Sequence, residues 1–185
     1  MNICVYCGAK SGNDPEIYNV MTELGRQIAS HGFGLIYGAG NCGLMGAVSG
    51  GVIESGGTVI GVAPQFMKDY EPVRMDDALL ISVPTMGVRK EIMENNTDAF
   101  IVAPGGIGTF DEFFQGVTLK ELGQLDCPVV LYNYHGYYEG LLAFIRQCVD
   151  RGFIRERVFG MFDVFDGDPK DLMDMVAERL AGKEV

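Results

Sequence analysis

Short apolar runs and longer amphipathic stretches alternate along this chain. Residues 2–7 form an apolar run of strand length. A polar loop over residues 8–14 separates it from a stretch in which Tyr18, Met21, Leu24, Ile28 and Ala29 recur at helical spacing. Asp14-Pro15 is expected to open that helix, with Pro15 at the first position, where its missing N–H is no loss, and Gly32-Phe33-Gly34 to close it. Further strands are predicted at residues 35–37, 58–62, 78–83, 98–103 and 128–132, with helices between most of them and a last helix over residues 169–180. Residues 183–185 are expected to fray. Strands alternating with helices specify an α/β fold, a doubly wound parallel sheet covered on both faces, as one domain over residues 1–185. Ligands of such sheets bind at the C-terminal ends of the strands.

Two glycine loops fall at that edge. After the apolar run Ala99-Phe100-Ile101-Val102-Ala103 the chain reads Pro104-Gly105-Gly106-Ile107-Gly108-Thr109-Phe110-Asp111-Glu112, a loop that restarts as a helix. Gly105, Gly106 and Gly108 leave no side chain between the backbone amides and whatever lies above them, and a helix N-terminus favours an anion, so the loop reads as a phosphate seat. Thr109 and Glu112 also fit a capping box, with Thr109 as N-cap and Glu112 reaching back to its amide. No Gly-Lys-Ser/Thr follows, which excludes the P-loop of nucleoside triphosphatases.

The other loop, Gly38-Ala39-Gly40-Asn41-Cys42-Gly43, matches the G-x-G-x-x-G dinucleotide pattern between a strand and a helix. That fingerprint requires an acid at the end of the next strand, and here residues 58–62 run into Ala63-Pro64 with no carboxylate. Close packing or contact with a smaller nucleotide explains these glycines better than NAD. Between the two loops, Thr85 is expected to cap a helix that carries Arg89 and Lys90 near its start, where cations oppose the dipole. Either they are a solvated face, with Lys90 paired to Glu94, or they meet an anion or Glu112.

A formal charge of −11 removes any broad basic surface, which argues against nucleic acid and membrane partners while leaving room for a small anionic ligand in a local pocket. No apolar run approaches the roughly 18 residues of a membrane span, and no signal-like start is present, so a cytoplasmic location is expected. Five cysteines, Cys4, Cys7, Cys42, Cys127 and Cys148, are an awkward number for a disulfide framework, and Cys4 and Cys7 lie inside a strand as small buried hydrophobes. With only His31 and His135 besides, no metal site is expected; His31 stands where a helix C-terminus favours a cation.

Taken together, these residues resemble the Lonely Guy (LOG) family of cytokinin riboside 5′-monophosphate phosphoribohydrolases over nearly the whole chain. The family's P-G-G-x-G-T-x-x-E motif is complete at Pro104, Gly105, Gly106, Gly108, Thr109 and Glu112; the Arg-Lys pair is Arg89-Lys90; Gly43-Leu44-Met45-Gly46 and Gly136-Tyr137-Tyr138 also match. The resemblance implies a Rossmann-like three-layer α/β/α fold, a homodimer or larger even oligomer, and hydrolysis of the N-glycosidic bond of a nucleoside 5′-monophosphate to free base and ribose 5-phosphate without a cofactor. It implies Arg89 and Glu112 as catalytic residues. Gly8, Gly40, Met86, Lys90, Gly105, Gly106, Gly108 and Thr109 would contact the substrate. Gly87, Leu119, Glu121 and Ala39 depart from the family pattern and bear on base specificity. The rival is a non-catalytic nucleotide or molybdenum-cofactor carrier, which shares the glycine loops. A lysine decarboxylase on pyridoxal phosphate needs a buried Schiff-base lysine, and of six lysines only Lys90 stands near the expected site.

Overall fold

The computed structural model describes residues 1–69, 73 and 78–182. The strands are β1 (Asn2–Tyr6), β2 (Gly34–Tyr37), β3 (Val59–Pro64), β4 (Leu79–Val83), β5 (Ala99–Val102), β6 (Val129–Tyr132) and β7 (Asp163–Phe165). The helices are α1 (Ile17–Ser30), α2 (Gly43–Glu54), α3 (Met86–Asn95), α4 (Ile107–Glu121), α5 (Glu139–Asp150) and α6 (Pro169–Ala181). Every strand pair is parallel, in the order β4-β3-β2-β1-β5-β6-β7. This is the doubly wound, Rossmann-like sheet expected. The chain winds outward from β1 to β4, crosses back to β5 beside β1, and winds the other way. The β1/β5 junction is therefore the switch point, where the loops that follow the two strands diverge and leave a crevice.

Strand alternation builds two cores. Ile3, Val5, Leu35, Tyr37, Ile101 and Tyr132 face α1, α2 and α6, packing on Met21, Leu24, Val48, Val52 and Leu172. Cys4, Tyr6, Ile36, Phe100, Val102 and Leu131 face the other way, with Met93, Phe113, Val117 and Ile145 of α3, α4 and α5. Cys4 and Cys7 are buried free thiols, and burial pushes both above the ordinary range.

Several expectations move. Asp14-Pro15 does not begin the first helix: Asp14 Oδ1 accepts from the Glu16 amide at 2.9 Å, making a turn before α1 starts at Ile17. His31 caps the other end, its Nδ1 2.8 Å from the Gln27 carbonyl and its Nε2 3.0 Å from Asp174 Oδ1 on α6. β7 was not predicted; it is three residues long, starts on an acid and leaves Val164 half exposed at the sheet edge. The expectation for residues 183–185 lies outside the described residues. Among those described, no helix is long and apolar enough to cross a membrane.

Helices α1 and α2 meet through glycine. A Cβ on Gly51 would lie 2.0 Å from the Thr22 carbonyl oxygen, and one on Gly25 would lie 2.1 Å from that of Val48. Next to Gly51, Gly50 has nothing within 4 Å of where its Cβ would stand. Gly50→Ala should therefore stabilise the fold by about 1 kcal/mol through helix propensity. Gly51→Ala should destabilise it by roughly 1–3 kcal/mol through overpacking. Urea midpoints of the two variants should move in opposite directions.

Candidate active site

Gly8 holds the switch point together. Its amide donates to the Pro104 carbonyl at 3.0 Å, and its own carbonyl accepts from the Leu44 and Met45 amides at 3.0 and 3.3 Å. Two first-turn donors of α2, the Leu44 and Met45 amides, are thus spent on protein, so the Gly38–Gly43 loop is a packed strut. Gly43 takes a positive φ of 59°, and a Cβ there would lie 2.4 Å from Ala9 backbone. Ala39 is buried at φ +65°, a region that ordinarily favours glycine.

The start of α4 is different. Gly106 is its N-cap, and among the described residues the Ile107 and Gly108 amides have no acceptor. A Cβ on Gly106 or Gly108 would meet nothing within 4 Å, so the space over these amides is open. Donors and dipole suit an anion there. This start overturns the capping box: with Gly106 capping, Thr109 and Glu112 lie inside the helix, both buried, and no side chain caps it.

Glu112 turns instead to Arg89. Thr85 caps α3 as expected, its hydroxyl accepting from the Val88 amide at 3.2 Å, and that start directs Arg89 inward. Arg89 Nη1 lies 2.6 Å from Glu112 Oε1, and Arg89 Nε donates to the Val62 carbonyl of β3 at 3.1 Å. Each residue is 8% exposed. Burial raises the Glu112 carboxyl above the ordinary carboxylate range, against the opposing pull of the Arg89 guanidinium. The other cation goes elsewhere: Lys90 Nζ pairs with Asp111 Oδ2 at 2.9 Å, while Glu94 accepts from Gln115.

The β6–α5 connection closes the opposite wall. The Tyr137 hydroxyl donates to the Gly105 carbonyl at 2.6 Å, and the Tyr138 hydroxyl to that of Ala103 at 2.7 Å. His135, at φ +51°, stacks on Tyr134 and places Nδ1 3.6 Å from Asp14 Oδ2 across the mouth. The cavity between these walls opens to solvent and measures about 770 Å³.

Of the residues expected at the site, Gly8, Met86, Arg89, Gly105, Gly106, Gly108, Thr109 and Glu112 line this cavity. Gly40 and Lys90 do not. Gly40 sits behind Met45, whose Cε would lie 2.5 Å from an added Cβ, and Lys90 is engaged with Asp111. The lysine in the lining is Lys10, exposed on the β1–α1 loop and unsuited to a buried Schiff base, so pyridoxal phosphate chemistry does not fit the described residues. Ser11, Asn13, Asp14 and His135 also line the cavity and were not anticipated as site residues. The signal for the first three was available: they fall in the polar loop that follows the first strand, at the edge where ligands bind. Among the departures from the family pattern, Glu121 pairs with Arg157 at 2.9 Å, outside the cavity lining.

The family model described as "Possible lysine decarboxylase" matches residues 45–176. The cytokinin riboside 5′-monophosphate phosphoribohydrolase LOG2 of Arabidopsis thaliana is 40% identical over 152 residues, covering 82% of this chain and 71% of that protein. The probable cytokinin riboside 5′-monophosphate phosphoribohydrolase LOGL2 of Oryza sativa subsp. japonica is 37% identical over 176 residues, 95% of this chain and 72% of that one. Among solved structures, the molybdenum cofactor binding protein of the phototrophic bacterium Rippkaea orientalis matches with a TM-score of 0.70 at 21% identity over 96% of each chain, a likeness of fold.

Arg89→Ala would leave Glu112 buried without its cation, at a cost of roughly 3 kcal/mol. The sign follows from the carboxyl. Its folded pKa would rise further above the ordinary value of about 4.3, so the folded state loses stability as pH climbs past that value. The deficit should be larger at pH 8 than at pH 5 in urea titrations, and Glu112→Gln in the same chain should remove the pH dependence. An equal deficit at both pH values would count against the pairing.

Proposed function

The chain belongs to the Lonely Guy (LOG) family, and on that premise we propose that it hydrolyses the N-glycosidic bond of adenosine 5′-monophosphates, N6-modified ones included, to free base and ribose 5-phosphate. The observation that carries the reading is the buried Arg89–Glu112 pair in a cavity whose rim is the open N-terminus of α4. The 5′-phosphate sits on the Gly105–Thr109 loop, and the ribose extends toward Glu112.

As the bond to the base breaks, positive charge builds on the ribose. The Glu112 carboxylate stabilises that charge or takes the proton of the attacking water. Water supplies hydroxyl to the anomeric carbon and a proton to the departing base. Arg89 cannot be the acid, because guanidinium does not deprotonate in proteins. Its role is to keep Glu112 ionised and aimed. A cytoplasmic setting, where nucleotides are found, belongs to the same proposal.

The test is a panel of 5′-monophosphates, ribosides and free bases assayed by chromatography for released base. AMP or an N6-modified relative should turn over far faster than the matching riboside. Glu112→Gln retains an acceptor for Arg89, so it should fold, with a lower melting point, and lose roughly 10²-fold or more in kcat while KM changes little. Wild-type turnover by that variant would remove Glu112 from the chemistry.

Assembly is part of the proposal. On α4 and its C-cap, Phe113 and Val117 are buried, while Ile107 is 82%, Phe114 39% and the capping Leu122 65% exposed, more apolar surface than one core-facing stripe leaves over. A homodimer or larger even oligomer would cover it. Light scattering at micromolar concentration should give at least twice the chain mass; a monomer would reject this.

A further inference from the structure

Two adjacent tyrosines of the β6–α5 connection grip the two carbonyls that flank Pro104. Tyr138 donates to Ala103 and Tyr137 to Gly105, at 2.7 and 2.6 Å. Tyr138 is buried and Tyr137 half exposed, on the cavity wall. The turn that carries them is itself pinned. Asn133 Oδ1 accepts from the Tyr138 amide at 2.6 Å, its Nδ2 donates to Glu139 Oε1 at 2.7 Å, and its amide donates to the Phe165 carbonyl of β7 at 2.7 Å. The tyrosines are thus anchored to the sheet, away from the loop they hold.

The peptide plane supplies the consequence. In a trans peptide the C=O of one residue and the N–H of the next point in opposite directions. There are no cis bonds among the described residues. Fixing the Gly105 carbonyl therefore fixes the Gly106 N–H. With glycine at both 105 and 106, neither residue of that peptide has a side chain to choose among orientations. The choice is made from outside.

We propose that Tyr137, backed by Tyr138, is a positioning residue for the anion seat: its hydroxyl orients the Gly105–Gly106 peptide so that the loop's amides converge on the 5′-phosphate. The inference rests on the proposed phosphoribohydrolase reading for the identity of that phosphate. Both hydroxyls are engaged with backbone carbonyls, so each acts through the loop.

The test is Tyr137→Phe, which removes one hydroxyl from a half-exposed ring and leaves the fold standing. Ribose 5-phosphate binding is measured by calorimetry, alongside kcat/KM for AMP and for adenosine. Loss of the bond should weaken ribose 5-phosphate by about 3- to 10-fold, with a matching rise in KM for AMP, unchanged kcat/KM for adenosine and an unchanged melting point. Tyr138→Phe should act in the same direction with some loss of melting temperature, since it leaves a buried carbonyl unpaired. Unchanged ribose 5-phosphate affinity in Tyr137→Phe, with the wild type binding normally, overturns the positioning role and leaves the phosphate seat in place. A wild type that binds no ribose 5-phosphate and treats AMP and adenosine alike overturns both. A parallel loss against AMP and adenosine would mark the hydroxyl as merely structural and also reject the proposal.

Discussion

The cavity depends on the backbone of one residue. Gly8 gives its N–H to the loop that follows β5 and its C=O to the first turn of α2, so three segments meet on the two peptide units that flank one Cα at the switch point. Any side chain there would come within 2.9 Å of the Lys10 carbonyl. The arrangement sorts the two glycine loops by what their helix starts have left to offer. Gly8 takes up the Leu44 and Met45 amides of α2, while among the described residues the Ile107 and Gly108 amides of α4 have no acceptor. An anion drawn to a helix N-terminus therefore finds the more open start at α4.

The same geometry explains why a cation stands where the dipole of α3 opposes it. Arg89 is held by a carbonyl at the end of β3 and by a carboxylate from α4, so three elements on one face of the sheet share a single guanidinium. Burying two charges costs several kcal/mol each before their attraction is counted. A well-packed apolar pair would serve stability as well or better. In a chain of charge −11 that has acids in excess, the feature that needs explaining is the carboxylate held in the interior near the open start of α4.

Much of the fold was legible because periodicity survives without context. Strand alternation in β1, β2, β5 and β6 assigns each side chain to one of two cores, and the turn chemistry at Gly32 and Thr85 marks true boundaries. The site was legible in its residue types and less so in their arrangement. A Thr-x-x-Glu spacing describes a capping box, and it equally describes two inward-facing positions on one helix face, since i and i+3 are neighbours. Which applies depends on where the helix starts, and that is decided by Gly106, three residues earlier. Lys90 was drawn to the site by its place next to Arg89, yet adjacent helix residues do not share a face, and Asp111 claims it. The tyrosine contacts join residues 32 and 35 positions apart and have no local signature.

The fold is shared with a cofactor-binding protein at 21% identity, so architecture cannot separate a carrier from a hydrolase. The buried carboxylate of Glu112 in the cavity lining is the feature on which the proposed hydrolase reading rests. A protein that only holds an anionic ligand gains from donors and cations around it, and a buried carboxylate nearby works against binding. For glycosidic cleavage the balance changes sign along the reaction: the carboxylate repels the ground-state phosphate weakly across the ribose and attracts the developing oxocarbenium strongly. Only interactions that strengthen on the way to the transition state accelerate it. Under the proposed hydrolase reading, a carboxylate raised by burial, steadied by a guanidinium that cannot give up its proton, and set back from the open amides of α4 has that property.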